Sequence, residues 1–244
     1  MLAPVQSLTL LLFLGGLLAS SPTVAQSVQP CDAGCTVLED FEAYPDGGFP
    51  LGWFTYQDRK KVYPVTGALQ NEGENFRVVH EAGNAYVKAR VFDNAHRIIL
   101  RKGYGMEWDL DEQPLLSWRW RAHELPDGAR EDRTKQNDTG AAVYVLFDQD
   151  WLGRPRGIKY SYSSSLQTGY KAEFGGLRVM VVASLPENGL GHWITHERDV
   201  RADFEALFGR QAPSLPSAIF LWSDSDSVGG RAEVDFDDLR VRSR

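Results

Sequence analysis

The residues of this chain best equipped for chemistry are carboxylates set on strand-forming sequence. In the run Ala232–Val241, Val234 and Phe236 share one parity while Leu239 and Val241 share the other. A regular strand alternates with period two, so the change of parity at Asp237 and Asp238 predicts a bulge that re-aims their carboxylates. Val37–Glu42, near the other end, has the same acidic and apolar character. Laid side by side, the two strands would offer Glu42, Asp237 and Asp238 to a hard cation such as Ca²⁺, which takes about 6–8 oxygens. The same residues also read as an acidic, solvated sheet edge that discourages aggregation.

A second constellation sits on Leu116–Ala122, which alternates without a fault. Leu116, Trp118, Trp120 and Ala122 share one face; Ser117, Arg119 and Arg121 share the other. Two guanidinium groups on a rigid strand suit bidentate contact with carboxylates or sulfates. With Asp138 and the Asp224/Asp226 loop they are the expected ligand-binding set, and Lys135 and Asp148 lie nearby in sequence. The alternative is that both arginines pair with acidic neighbours. Trp108, Trp151, Tyr160, Tyr162 and Tyr170 would supply stacking surfaces or core packing. Asp224-Ser-Asp-Ser-Val-Gly229 resembles the start of a calcium loop, but Val228 stands where an oxygen ligand is needed, so an Asx turn competes. His192 and His196, on a strand, lie roughly 13 Å apart and cannot share an ion. No phosphate loop, nucleophile elbow or dinucleotide fingerprint occurs, and no organic cofactor is expected.

The elements that would hold these groups are short β-like runs between turns such as Asp46-Gly-Gly48, Leu125-Pro-Asp-Gly128, Gly175-Gly176 and Gly229-Gly230. Only Ala202–Phe208, followed by Gly209, reads as a helix. Ala141–Phe147 and Val179–Ala183 are apolar at both parities, as for central strands covered on both sides. The predicted fold is an all-β, antiparallel sandwich of jelly-roll type, galactose-binding-like or lectin-like, with one short helix.

Leu8–Ala19 is apolar over a length that suits a signal-peptide core and falls short of the ~20 residues of a membrane span. Thr23-Val-Ala25 supplies small residues for cleavage after Ala25. The expected organisation is a signal peptide over 1–25, a segment over 26–36 that carries the cysteines, and one domain over 37–244. In an oxidising compartment Cys31 and Cys35 most simply pair, a link of about 2 kcal/mol in the chain-entropy model; free thiols are the alternative. The formal charge of −7 disfavours nucleic acid and anionic membrane as partners.

The chain also resembles a bacterial secreted family known as domain of unknown function 3047. The matching pieces are Ser117-Trp-Arg-Trp-Arg121, Leu125-Pro-Asp-Gly-Ala129, Lys135-Gln-Asn-Asp138 before Ala141–Phe147, Arg198–Phe204 with Leu207-Phe-Gly209, and Ser223-Asp-Ser-Asp226. The resemblance implies no activity. Phe41-Glu42 and Asp237-Asp238-Leu239 are similar, more loosely, to the strands that hold a structural calcium in jelly-roll carbohydrate-binding modules. The expected protein is therefore periplasmic or secreted and binds a glycan or other polar cell-envelope ligand without catalysis. A polysaccharide lyase on the same scaffold and a structural envelope protein are the rival readings.

Overall fold

The structure is a computed structural model that describes residues 31–56, 61–67, 75–149 and 154–244. The leader and its cleavage site, residues 26–30 and Trp151 lie outside these. The described strands are β1 (Cys35–Glu39), β2 (Phe54–Tyr56), β3 (Val62–Pro64), β4 (Asn75–Glu81), β5 (Asn84–Phe92), β6 (Ala95–Lys102), β7 (Gly105–Met106), β8 (Leu115–Glu124), β9 (Ala141–Gln149), β10 (Pro155–Ser163), β11 (Lys171–Phe174), β12 (Leu177–Ser184), β13 (Ile194–Asp199), β14 (Ala218–Asp224) and β15 (Arg231–Arg242). Two helices accompany them, α1 (Leu185–Asn188) and α2 (Val200–Phe208).

Sheet A runs β13-β8-β15-β5-β4, with β1 on the far half of β15; sheet B runs β11-β12-β10-β9-β14-β6-β2-β3, with β7 on β6. The chain passes repeatedly from one sheet to the other, as in a jelly roll. Besides the short parallel pair β6–β7, one long pairing departs from the antiparallel expectation: β10 and β12 are parallel. The cause is β11, which carries the chain back before a tight turn at Gly175-Gly176 returns it. A side chain at Gly176 would meet the Pro155 carbonyl at 2.4 Å.

The core lies between the sheets and follows the alternation of β8. Trp118 and Trp120 are fully buried, their rings 5.3 Å from Tyr160 and 5.7 Å from Tyr162 of β10. Truncating either tryptophan to alanine should cost about 3–5 kcal/mol, as cavity formation adds to lost burial. Helix α2 closes one end. Asp199 accepts the Ala202 N–H as its N-cap, Gly209 adopts a left-handed C-cap at φ 64°, and Phe204 packs into the core.

The parity change in β15 is a bulge. Asp238 takes φ 53°, and the register against β8 slips between Asp237 and Arg240. This turns Leu239 and Val241 into the core after Val234 and Phe236. It also divides the strand's partners, β5 before the bulge and β1 after it. A disulfide joins Cys31 and Cys35 at the start of β1.

Candidate functional site

The outer face of sheet A is a lattice of ion pairs. The Arg119 guanidinium donates to Asp237 at 2.5 Å and to Asn84 at 2.5 Å, and lies 2.8 Å from Asp238. Arg121 donates to Asp235 and Glu81, both at 2.8 Å, and to the Tyr86 hydroxyl at 3.1 Å. Asp235, wholly buried, also meets His123 at 2.7 Å and Lys88 at 3.5 Å. The Trp193 ring covers both arginines, 4.7 Å from one and 4.9 Å from the other. Residue spacing had left open whether these arginines meet a ligand or their neighbours, and in the structure they meet their neighbours.

The same lattice occupies the place where calcium was expected. The Asp237 and Asp238 carboxylates converge on the Arg119 guanidinium, which together with Arg240, 2.7 Å from Asp238, supplies their countercharge. Glu42 turns to accept the Ala85 N–H at 2.8 Å. Burial, then the neighbouring Asp238, pushes the Asp237 carboxyl up to about 7, against the pull of Asn84 and Arg119.

The expected ligand set does not form one surface. Asp224 ends β14 on the outer face of sheet B, sharing the parity of Phe220 and Trp222, whereas Arg119 and Arg121 lie on the outer face of sheet A. Asp138, Asp224 and Asp226 do converge, with carboxylate oxygens within 4.8 Å of one another. Asp138 fastens the loop after β14 by accepting the N–H groups of Ser227 and Val228 at 2.9 and 2.7 Å. Asp224 accepts the Asp226 N–H at 3.3 Å, as in an Asx turn. Burial raises the Asp224 carboxyl to about 7; Lys159 opposes the rise, while Asp138 and Asp226 add to it.

Sequence reasoning missed the outer face of sheet B itself. Register places Ile99, Phe220, Tyr144 and Lys159 in one row across β6, β14, β9 and β10, and Arg97, Trp222, Ala142 and Ser161 in the next. This face forms a second apolar cluster, separate from the core. Its cations lie on rings. The Arg97 guanidinium is 4.4 Å from both the Tyr56 and the Trp222 ring centres, and that of Arg101 is 5.3 Å from Phe54 and 5.2 Å from Tyr104. Lys159, almost fully buried, stands 5.6 Å from the Tyr144 ring. Burial works against its charge, but Tyr144, Glu131 and Asp224 outweigh that and raise its pKa.

A cleft of about 590 Å³ opens on this face, lined by Tyr56, Ile99, Arg101, Leu146, Asp148 and Phe220 among others. The missed signal was the double apolar parity of β9, together with Ala218-Ile-Phe-Leu-Trp222 in β14. In a two-layer sandwich only one parity can face the core, so the other had to form a second surface.

This architecture defines a jelly-roll β-sandwich with an aromatic outer sheet face. The chain belongs to the DUF3047 family of proteins of unknown function, whose sequence profile matches residues 64–240. No curated protein matches the sequence. Among solved structures it is similar to the family 11 carbohydrate-binding module of the cellulosomal cellulase Lic26A-Cel5E of Clostridium thermocellum, at 11% identity over 86% of this chain and 95% of that one, with TM-score 0.40. A family 30 carbohydrate-binding module is similar at 12% identity, 86% and 99% coverage and TM-score 0.43. So is the K1 cleaved adhesin domain of Lys-gingipain from Porphyromonas gingivalis W83, at 12%, 86% and 98% coverage and TM-score 0.38.

Proposed function

We propose that this is a periplasmic or secreted glycan-binding protein that holds its ligand on the outer face of sheet B without transforming it. The observation that carries the reading is the ring-lined cleft on that face, whose walls include Tyr56, Phe220 and Arg101. A pyranose presents an apolar C–H face and a rim of hydroxyls. Aromatic faces suit the first and fixed polar side chains the second. Asp148, a carboxylate of the cleft, is held by Arg156 at 3.3 Å and Arg210 at 3.5 Å, which fixes an acceptor for sugar hydroxyls. The apolar leader and the Cys31–Cys35 disulfide support export. No described helix is long and apolar enough to cross a membrane.

The test is a glycan-array screen of the exported protein, run beside an absorbance assay for unsaturated lyase products. Binding that Tyr56→Ala weakens and Arg121→Ala leaves intact supports this surface. Binding lost in a folded Arg121→Ala protein would return the site to sheet A, and unsaturated products would make the protein a lyase.

A further inference from the structure

We propose that the cleft selects glycans bearing an anionic substituent, a carboxylate or a sulfate ester, and that Arg101 is the residue that recognises it. The proposal rests on the glycan-binding reading and specifies its ligand class.

Arginines elsewhere in the described sandwich characteristically meet carboxylates. Arg90, Arg119, Arg121, Arg130, Arg198 and Arg242 all do so within 3.1 Å. Arg101 projects from β6 into the cleft, half-buried, and among the described residues it meets rings instead, with Phe54 and Tyr104 packed edge to face at 5.3 Å beside it. Rings against a guanidinium hold its plane and leave the in-plane N–H groups for a planar or tetrahedral oxyanion.

Charge around the cleft points the same way. Asp148, which lines the cleft together with Arg101, is shared by Arg156 and Arg210, so its single negative charge is met by two guanidinium groups. That local excess sits in a protein whose formal charge is −7, so general attraction to a polyanion is disfavoured and binding must come from this patch.

Affinity gel electrophoresis of the exported protein tests the proposal with three kinds of polymer: polygalacturonate and alginate for carboxylate, carrageenan for sulfate ester, and dextran and xyloglucan as neutral controls. The expected result is retardation by at least one acidic class, reduced about tenfold or more in Arg101→Gln, with the variant melting like its parent. Arg101→Lys should recover only part of the affinity, because an ammonium lacks the planar fork. Which acidic class retards the protein identifies the substituent. Retardation by neutral polymers alone would overturn this inference and leave the glycan-binding reading standing. Acidic retardation unchanged in Arg101→Gln would likewise overturn it. Binding to no polymer would overturn both.

Discussion

On the outer face of sheet A, Arg119 and Arg121 meet carboxylates below a tryptophan lid; on the outer face of sheet B, Arg101 lies against aromatic rings. Both faces use β-strand spacing to line up cations, yet the acceptors differ. Carboxylates on β15 answer the arginines of β8 across the strands, residue by residue, from Asp235 opposite Arg121 to Asp237 opposite Arg119. A guanidinium so engaged has little left to offer a ligand. Rings fix a guanidinium's plane without consuming its hydrogen bonds. The contrast favours the proposed division, structure on the first face and recognition on the second, and each half can be broken by measurement.

The largest effect is expected from Arg119→Met. Asp237 would then lose its guanidinium partner, with Asp238 left to Arg240 at 2.7 Å, and removing one partner of a buried ionic group typically costs about 3–5 kcal/mol. Urea denaturation should show that loss, with glycan binding retained. A cost below about 1 kcal/mol would mean that the lattice is not structural. The same melts decide the calcium expectation for Glu42, Asp237 and Asp238. With Arg119 as countercharge, chelation followed by calcium should leave the parent's midpoint unmoved. A site saturated to 100 times its dissociation constant would instead add ~2.7 kcal/mol.

Next in size is a change that touches neither outer face. His196 packs 5.3 Å from Trp118 and 5.0 Å from Trp120, and its Nε2 has no hydrogen-bond partner among the described residues. Burial, then the charge of Arg198, pushes its pKa down to about 4. A depressed base gives stability that is fully present above the unfolded value near 6.5 and is lost as pH falls through the folded value. The window is therefore between about 6.5 and 4, with up to about 3 kcal/mol at stake. Comparing the parent with His196→Leu across that window isolates the effect. Parallel curves would show that the imidazole titrates as it does in the unfolded chain.

On the recognition face, Tyr56→Ala should weaken glycan binding about fivefold, the ~1 kcal/mol of one lost aromatic contact, with little change in melting. A protein that binds unchanged would remove Tyr56 from the surface; one that melts far earlier would make the ring structural.

Much of this was legible along the chain, and the reason differs by residue. Asp237-Asp238 announced its bulge because the core enforces parity, and a strand that changes parity must insert a residue. Trp118 and Trp120 announced their burial through a faultless alternation. Asp199 and Gly209 framed α2 as cap and stop, whereas α1, four residues long with Pro186 in its first turn, carried no periodicity to read. The candidate site was less legible. Arg119 and Arg121 stood out because two charges on one strand face are conspicuous, but their partners come from β15, more than a hundred residues away, and only pairing register brings them together. Tyr56, Arg101 and Phe220 are also united by register alone, across β2, β6 and β14.

The smallest expected effect probes why sheet A's lattice should matter at all. Arg242 and Glu197 form a bidentate pair, both contacts at 2.7 Å, from the strands on either side of β8. Its contacts are about as close as those of the Arg119 cluster, but its side chains are 42% and 44% exposed where Arg119 is 10%. Water already solvates exposed charges and salt screens them, so such pairs contribute about 0.2–1 kcal/mol. A double-mutant cycle with Arg242→Gln and Glu197→Gln should give a coupling of ~0.5 kcal/mol or less, shrinking further in raised salt. A coupling well above 1 kcal/mol that resists salt would show that pairing geometry, not burial, sets the strength of this face. The large cost expected at Arg119 would then need another cause than its desolvated carboxylates.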